Sequence, residues 1–174
     1  MLKNLLKLIN NHFGLGVVIL ISIIAGRWLL FPGYFSSHDD VQIMRLYEME
    51  KCFKDGQIPC RWVPDMGAGY GHPLFNYHPV FPYYLGMIFL IVGFGLVSTA
   101  KLLFFFSLLL SGIFMYLSAK EFFGRMGGVV SSVLYIFAPY HAMDIYVRGA
   151  LTEAWALTFF PLIFWAIYKY LTTR

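Results

Sequence analysis

An all-α integral membrane protein with about four spanning helices is the fold class this sequence predicts, on three observations. Of its 174 residues, 59% are hydrophobic and 20% aromatic, and only 13% are charged. A soluble domain carries about 25% charged residues, so charge cannot cover a water-facing surface here. Apolar runs of membrane-crossing length alternate with polar stretches. The nine acidic residues are also confined: six (Asp39, Asp40, Glu48, Glu50, Asp55, Asp65) lie between Ser36 and His78, and Asp144 and Glu153 form a second island. Only Glu121 lies elsewhere. The net charge of +4 is spread out, with no Lys/Arg run, which excludes nucleic acid as a partner class.

Residues 1–174 read as a single membrane module. A short basic start with Lys3 and Lys7 precedes the first span, residues 15–31. That run is long for a cleaved signal peptide, and no small-x-small site follows Ala25. It therefore reads as an uncleaved anchor with the N-terminus inside. Arg27, near its far end, can snorkel to the interface. An outer polar loop, 36–79, follows. Within it Val41 to Phe53 has good helix formers and a broken apolar stripe (Ile43, Leu46, Tyr47, Met49, Phe53), as in an interfacial amphipathic helix. Lys54-Asp55-Gly56 ends it. The glycines and prolines from Pro59 to Pro73 have an ordered-loop composition that does not match a phosphate-binding loop. Cys52 and Cys60 can form a small disulfide loop or remain two free thiols.

The remaining apolar segments fill 80–170, with a second outer loop at 139–153. If all four runs (Val80–Val97, Leu102–Leu117, Val129–Ala138 with its flanks, Ala154–Tyr170) crossed, the two acidic islands would lie on opposite sides. The positive residues argue otherwise: Lys120 and Arg125 mark one short loop as inside, and Lys169 and Arg174 mark the chain end as inside. Both hold only if one segment between His78 and Lys120 does not cross. Val80–Val97, with Pro82, Gly86, Gly93 and Gly95, is the one expected to be re-entrant or interfacial. Both islands then face the outer side of the cell membrane. The sequence stops at Thr172-Thr173-Arg174, soon after its last apolar run, and reads as the N-terminal part of a longer protein or a truncated frame.

Asp39 and Asp40 follow the first span directly. A carboxylate there can take a proton from a hydroxyl or help hold a divalent cation. Ser37-His38-Asp39-Asp40 also has capping-box spacing, which gives Asp40 a structural task and leaves Asp39 the better catalytic candidate. In the second island Arg148 can clamp a phosphate, and Glu153 can bind a metal or a sugar hydroxyl. Asp144 and Arg148, four apart, also suit a plain helical ion pair. On a straight helix Glu153 lies about 140° round from Arg148, so a shared site needs a break, which Gly149 permits. His38 and His72 are substrate-binding candidates. Tyr77, with Tyr83 and Tyr84, fits an interfacial aromatic belt or a groove for lipid or sugar.

Ser37-His38-Asp39-Asp40, Gly56-Gln57-Ile58-Pro59-Cys60-Arg61-Trp62-Val63-Pro64-Asp65 and Gly69-Tyr70-Gly71-His72-Pro73-Leu74-Phe75 resemble the N-terminal part of one bacterial family. These are polytopic membrane proteins labelled "6-pyruvoyl-tetrahydropterin synthase-related domain, membrane protein". Ala138-Pro139-Tyr140, Asp144, Tyr146-Val147-Arg148-Gly149-Ala150, Glu153 and Phe160-Pro161-Leu162 resemble the same family. The chain has no zinc-histidine site of the soluble pterin enzyme. In layout the family is similar to GT-C glycosyltransferases. The resemblance implies a GT-C-like N-terminal module with juxtamembrane or re-entrant helices in the first outer loop. It implies sugar transfer from a polyprenyl-phosphate carrier to an outer-face acceptor. Asp39 would be the base or metal-positioning acid, with Asp40 assisting, and Arg148, Glu153, His38, His72 and Tyr77 would serve the substrate. Mg or Mn is the expected ion, with Asp39 and Glu153 as candidate ligands. A different class stays open: a non-enzymatic lipid-linked sugar flippase or assembly partner, or an inactive fragment. The flippase predicts polar residues lining a path, and the apolar segments offer mainly Ser107, Ser111, Ser131 and Ser132.

Overall fold

The computed structural model describes residues 2–34 and 36–173, with side chains from Phe13 onward. Lys3 and Lys7, which carry the expectation for the N-terminus, lie outside the described side chains. Among the described residues the fold is helical, with one isolated bridge, Val63 to His72. Two helices are long and apolar enough to cross a membrane, Leu96–Ile136 and Leu151–Thr172.

The first helix, α1 (Leu2–Ala25), turns at Gly26 into a single turn, α2 (Arg27–Leu30). The expected span 15–31 is therefore a helix that starts earlier and bends at Gly26, where close packing on the Phe105 ring leaves no room for a side chain. The amphipathic helix of the first polar stretch is α3 (Gln42–Lys54), closed by Asp55 and Gly56. Its buried face is Gln42, Leu46, Glu48, Met49 and Cys52, whereas Tyr47, placed on the apolar stripe by spacing, is exposed. The face is more polar than expected because α3 packs on protein, against α5 and α6, where Gln42 bonds the Gly149 carbonyl and the Tyr83 hydroxyl. The following loop is ordered by a Cys52–Cys60 disulfide and by Gln57 Oε1, which accepts the Arg61 and Trp62 amides at 2.7 and 2.8 Å. A short α4 (Leu74–Tyr77) leads to α5 (Phe81–Val92). At about 1.5 Å per residue the 12 residues of α5 rise about 18 Å, well short of a hydrocarbon core of about 30 Å.

Helix α6 (Leu96–Ile136) is a hairpin. Gly124 adopts φ 68°, ψ −172° and reverses the chain between two arms, a conformation that side chains other than glycine's rarely allow. Ser132 Oγ donates to the Gly112 carbonyl at 2.9 Å, and Gly128 lies against Tyr116, so the arms run antiparallel. Gly14 and Ser22 of α1, and Gly26 just after it, meet Tyr116, Gly112 and Phe105, which sets α1 antiparallel to the first arm. After the second arm come α7 (Pro139–Ala142), a π-helical turn (Met143–Arg148) and α8 (Leu151–Thr172). Thr158 bonds the Ser107 carbonyl at 2.9 Å and Lys169 pairs with Glu121 at 2.8 Å, so α8 runs parallel to the first arm.

The bundle therefore alternates in direction: α1, first arm, second arm, α8. The end of α1, the start of α6 and the start of α8 gather at one end, and the Gly124 turn lies at the other. Residues 26–34, 36–78 and 137–153 cap the same end. This is the arrangement expected when Val80–Val97 does not cross. Outward side chains such as Leu20, Val130, Leu134, Phe164 and Leu171 are exposed and apolar, as lipid contact requires.

Candidate functional site

The two polar islands are joined by main-chain bonds. The His38 amide donates to the Val147 carbonyl at 3.0 Å and the Asp39 amide to the Arg148 carbonyl at 2.8 Å. Gly149 makes this possible in two ways. It takes φ 67°, ψ 31°, a left-handed conformation that breaks the helix after the π turn. A side chain there would also run into Ser37.

Asp39 sits at this seam. Gln42 Nε2 donates to its Oδ2 at 2.7 Å and Arg45 Nη1 at 3.0 Å. Oδ1 takes no bond among the described residues, and the side chain is 38% exposed. Gln42 is the hub behind it. Its amide also donates to the Gly149 carbonyl at 2.8 Å, and its Oε1 accepts the Tyr83 hydroxyl at 2.6 Å. Tyr83 in turn lies 3.0 Å from His78 Nε2. Burial pushes the Tyr83 phenol up to about 12. Burial, then the nearby Arg45 guanidinium, hold His78 below the usual histidine range, so its ring is neutral at pH 7. A chain of polar contacts thus runs from His78 through Tyr83 and Gln42 to a carboxylate with one open oxygen.

Asp40 is committed elsewhere. Its Oδ1 accepts the Tyr34 hydroxyl at 2.7 Å and the Ser37 amide at 2.8 Å, and its Oδ2 accepts Ser36 at 3.2 Å. These bonds hold its carboxyl below the usual carboxylate range. One bond of the expected capping box forms, Ser37 amide to Asp40, while the Ser37 hydroxyl donates to the same carboxylate; they close a turn ahead of α3, whose N-cap is Val41 with no side-chain bond. In the second island Arg148 pairs with Asp144 at 2.7 Å and grips both oxygens of Glu153 at 2.6 Å. The break at Gly149 brings Glu153 round to Arg148, as the spacing required. Tyr140 adds a bond to Glu153 at 3.0 Å. Asp144 is fully buried, and burial followed by the Glu153 carboxylate pushes its pKa up.

His38, His72 and Tyr77 are exposed, and their side chains do not join the Asp39 network. His72 acts through its backbone, bridging Val63 at 2.8 and 2.9 Å. Among the described residues no three His, Cys, Asp or Glu side chains converge. Asp39 offers one uncommitted oxygen, and both oxygens of Glu153 face Arg148. A magnesium ion takes one or two carboxylates and completes its shell with waters and substrate phosphate oxygens, so of the two candidate ligands Asp39 is the one open to it. Three residues of the site escaped sequence reasoning: Gln42, Arg45 and Lys101. Lys101 is 7% exposed and donates to the Phe31 and Gly33 carbonyls, the latter at 2.8 Å. Its signal was legible: a lysine in the second turn of an apolar helix with Val97, Ser98, Phe104 and Phe105 at the neighbouring turns, so no local acid can pair with it. No family model, curated protein or solved structure matches this chain.

Proposed function

We propose that the chain is a GT-C-like glycosyltransferase module that moves a sugar from a polyprenyl-phosphate carrier to an acceptor on the outer face of the cell membrane. In this reading α1, both arms of α6 and α8 are four spans, and the polar cap faces outward. The Cys52–Cys60 disulfide supports the outward orientation, because disulfides persist in oxidising compartments.

The observation that carries the function is Asp39: one oxygen is fixed by Gln42 and Arg45 and the other is open, at the seam of the two islands. An acceptor hydroxyl seated on Oδ1 gives its proton to that oxygen as its own oxygen attacks the sugar C1. The C1–phosphate bond breaks, the polyprenyl phosphate leaves with the electron pair, and the sugar inverts. No step runs through a metal. The flippase alternative needs a polar path. Ser107, Ser111, Ser132 and Thr158 are fully buried and bonded to one another or to carbonyls, which gives that reading less support.

The test is transfer by the reconstituted chain from radiolabelled polyprenyl-phosphate sugars. Asp39→Asn is expected to lower the rate by about 10²–10⁴-fold, while Asp40→Asn, in a turn, is expected to retain most of it. Transfer at the wild-type rate by Asp39→Asn would refute the assignment. Cysteines placed at exposed Tyr70 and Met143 should both react from the outer side; reaction from the inner side would refute the orientation.

A further inference from the structure

Among the described residues Lys101 is the buried Lys or Arg, and no carboxylate pairs with it. Arg45 pairs with Asp39, Lys51 with Asp65, and Arg148 with two acids. Those three are half-buried, whereas Lys101 is buried and is held by two neutral carbonyls. Carbonyl dipoles orient an ammonium without cancelling its charge, and an uncompensated buried charge is costly. It lies where two clefts meet, on either side of the linker after α2. One, of about 540 Å³, has aromatic and apolar walls (Trp28, Phe31, Pro32, Tyr34, Tyr146) and Ser36 as a further polar contribution. The other, of about 330 Å³, runs along Leu29, Leu30, Val97 and Leu102. A small gap of about 20 Å³ is lined by Lys101, Tyr34, Ser37, Gln42 and Asp39, so the cation and the open carboxylate flank the same space.

From this we propose that Lys101 is the anchor for a phosphate group carried on an apolar chain, with the chain in the aromatic cleft. The phosphate supplies the counter-charge that the Lys101 ammonium lacks, with the ammonium as a point donor, and the walls accept hydrocarbon. The cleft volumes suit a ligand of that size. Arg148, the phosphate candidate in the sequence, is already neutralised by Asp144 and Glu153, so it offers an incoming anion far less. The proposal rests on the glycosyltransferase reading only for which chain bears the phosphate.

The experiment is titration of the purified full chain in neutral detergent with geranyl phosphate, following tryptophan fluorescence, beside geraniol, inorganic phosphate and short-chain phosphatidate. Geranyl phosphate is expected to bind. Lys101→Met is expected to weaken it by about 10–100-fold, the loss of one charged bond, and Lys101→Arg to restore part of it. Tighter binding of geranyl phosphate than phosphatidate assigns an isoprenoid carrier, and the reverse order assigns a membrane phospholipid; either supports the anchor. Equal binding of geraniol, or of inorganic phosphate alone, overturns it. Photo-cross-linking of the wild-type chain with a diazirine-bearing isoprenyl phosphate needs no variant to fold. Labelling of Trp28, Tyr34 or Tyr146 supports the cleft, and labelling confined to other residues overturns it. Binding that follows Lys101 without any sugar transfer would sink the glycosyltransferase reading alone. Transfer that depends on Asp39 but ignores Lys101→Met would sink the anchor alone.

Discussion

The two acidic islands make different kinds of site. Asp144, Arg148 and Glu153 lie within ten residues, and their charges close on one another with contacts of 2.6–2.7 Å. Asp39 depends on distant elements: Gln42 and Arg45 on α3, the Gly149 carbonyl, and Tyr83 and His78 around the start of α5. The local cluster leaves Arg148 nothing to offer, whereas the long-range network leaves one oxygen open. The difference teaches that charge alone does not mark the working group here. The cluster assembled from near neighbours holds the chain in shape, and the group assembled across the fold is the one with spare chemistry.

The sharpest way to break this contrast is Gln42→Leu. The substitution removes three hydrogen bonds: Asp39 keeps only Arg45, the Tyr83 hydroxyl keeps only His78, and the Gly149 carbonyl keeps only the Leu151 amide. A lost hydrogen bond costs about 0.5–1.5 kcal/mol, so a loss of about 2–4 kcal/mol is expected in detergent unfolding. A drop no larger than that of an exposed substitution such as Tyr77→Ala would mean that the seam is not organised by Gln42.

Next in size is Arg148→Ala. It leaves the buried Asp144 without its cation. Stranding a buried carboxylate is destabilising, but Arg148 is 37% exposed, so solvent screening keeps the expected loss below that of Gln42→Leu. Adding Asp144→Asn should recover part of that stability, measured by the same unfolding. If the cluster is structural, the double variant also retains sugar transfer. A double variant that is stable yet inactive would move Arg148 back to the substrate.

Much of this contrast was legible before any coordinates. The confinement of the acids, the Asp144–Arg148 spacing and the need for a break at Gly149 all follow from residue order, because they are local. The shortness of the apolar helix within Val80–Val97 was legible from its glycines and proline. The partners of Asp39 were not legible. Gln42 is uncharged and stood on a helix whose face was judged by apolar spacing alone, and Tyr83 read as an interfacial ring. Their juxtaposition depends on how α3 and α5 pack, which no local pattern encodes. The pairing of Cys52 with Cys60 was likewise open until the loop between them had a shape.

The smallest effect, and a third case for the contrast, is Glu48. It is fully buried on α3, and neither carboxylate oxygen makes a well-formed hydrogen bond. Burial, then the Asp65 carboxylate, push its pKa above the ordinary value of 4.5, and the Asp65 amide offsets part of this. The folded protein therefore holds the proton more tightly than the unfolded chain. Stability from this group is fully present below about pH 4.5 and falls as pH rises through the folded pKa. Glu48→Gln is neutral at every pH and is expected to unfold a few degrees higher than wild type at pH 7, with the gap closing toward pH 4.5. A gap that does not change with pH would mean that Glu48 stays ionised in the fold and is satisfied as a charge. It would then belong with the closed local pairs, beside Lys51 and Asp65.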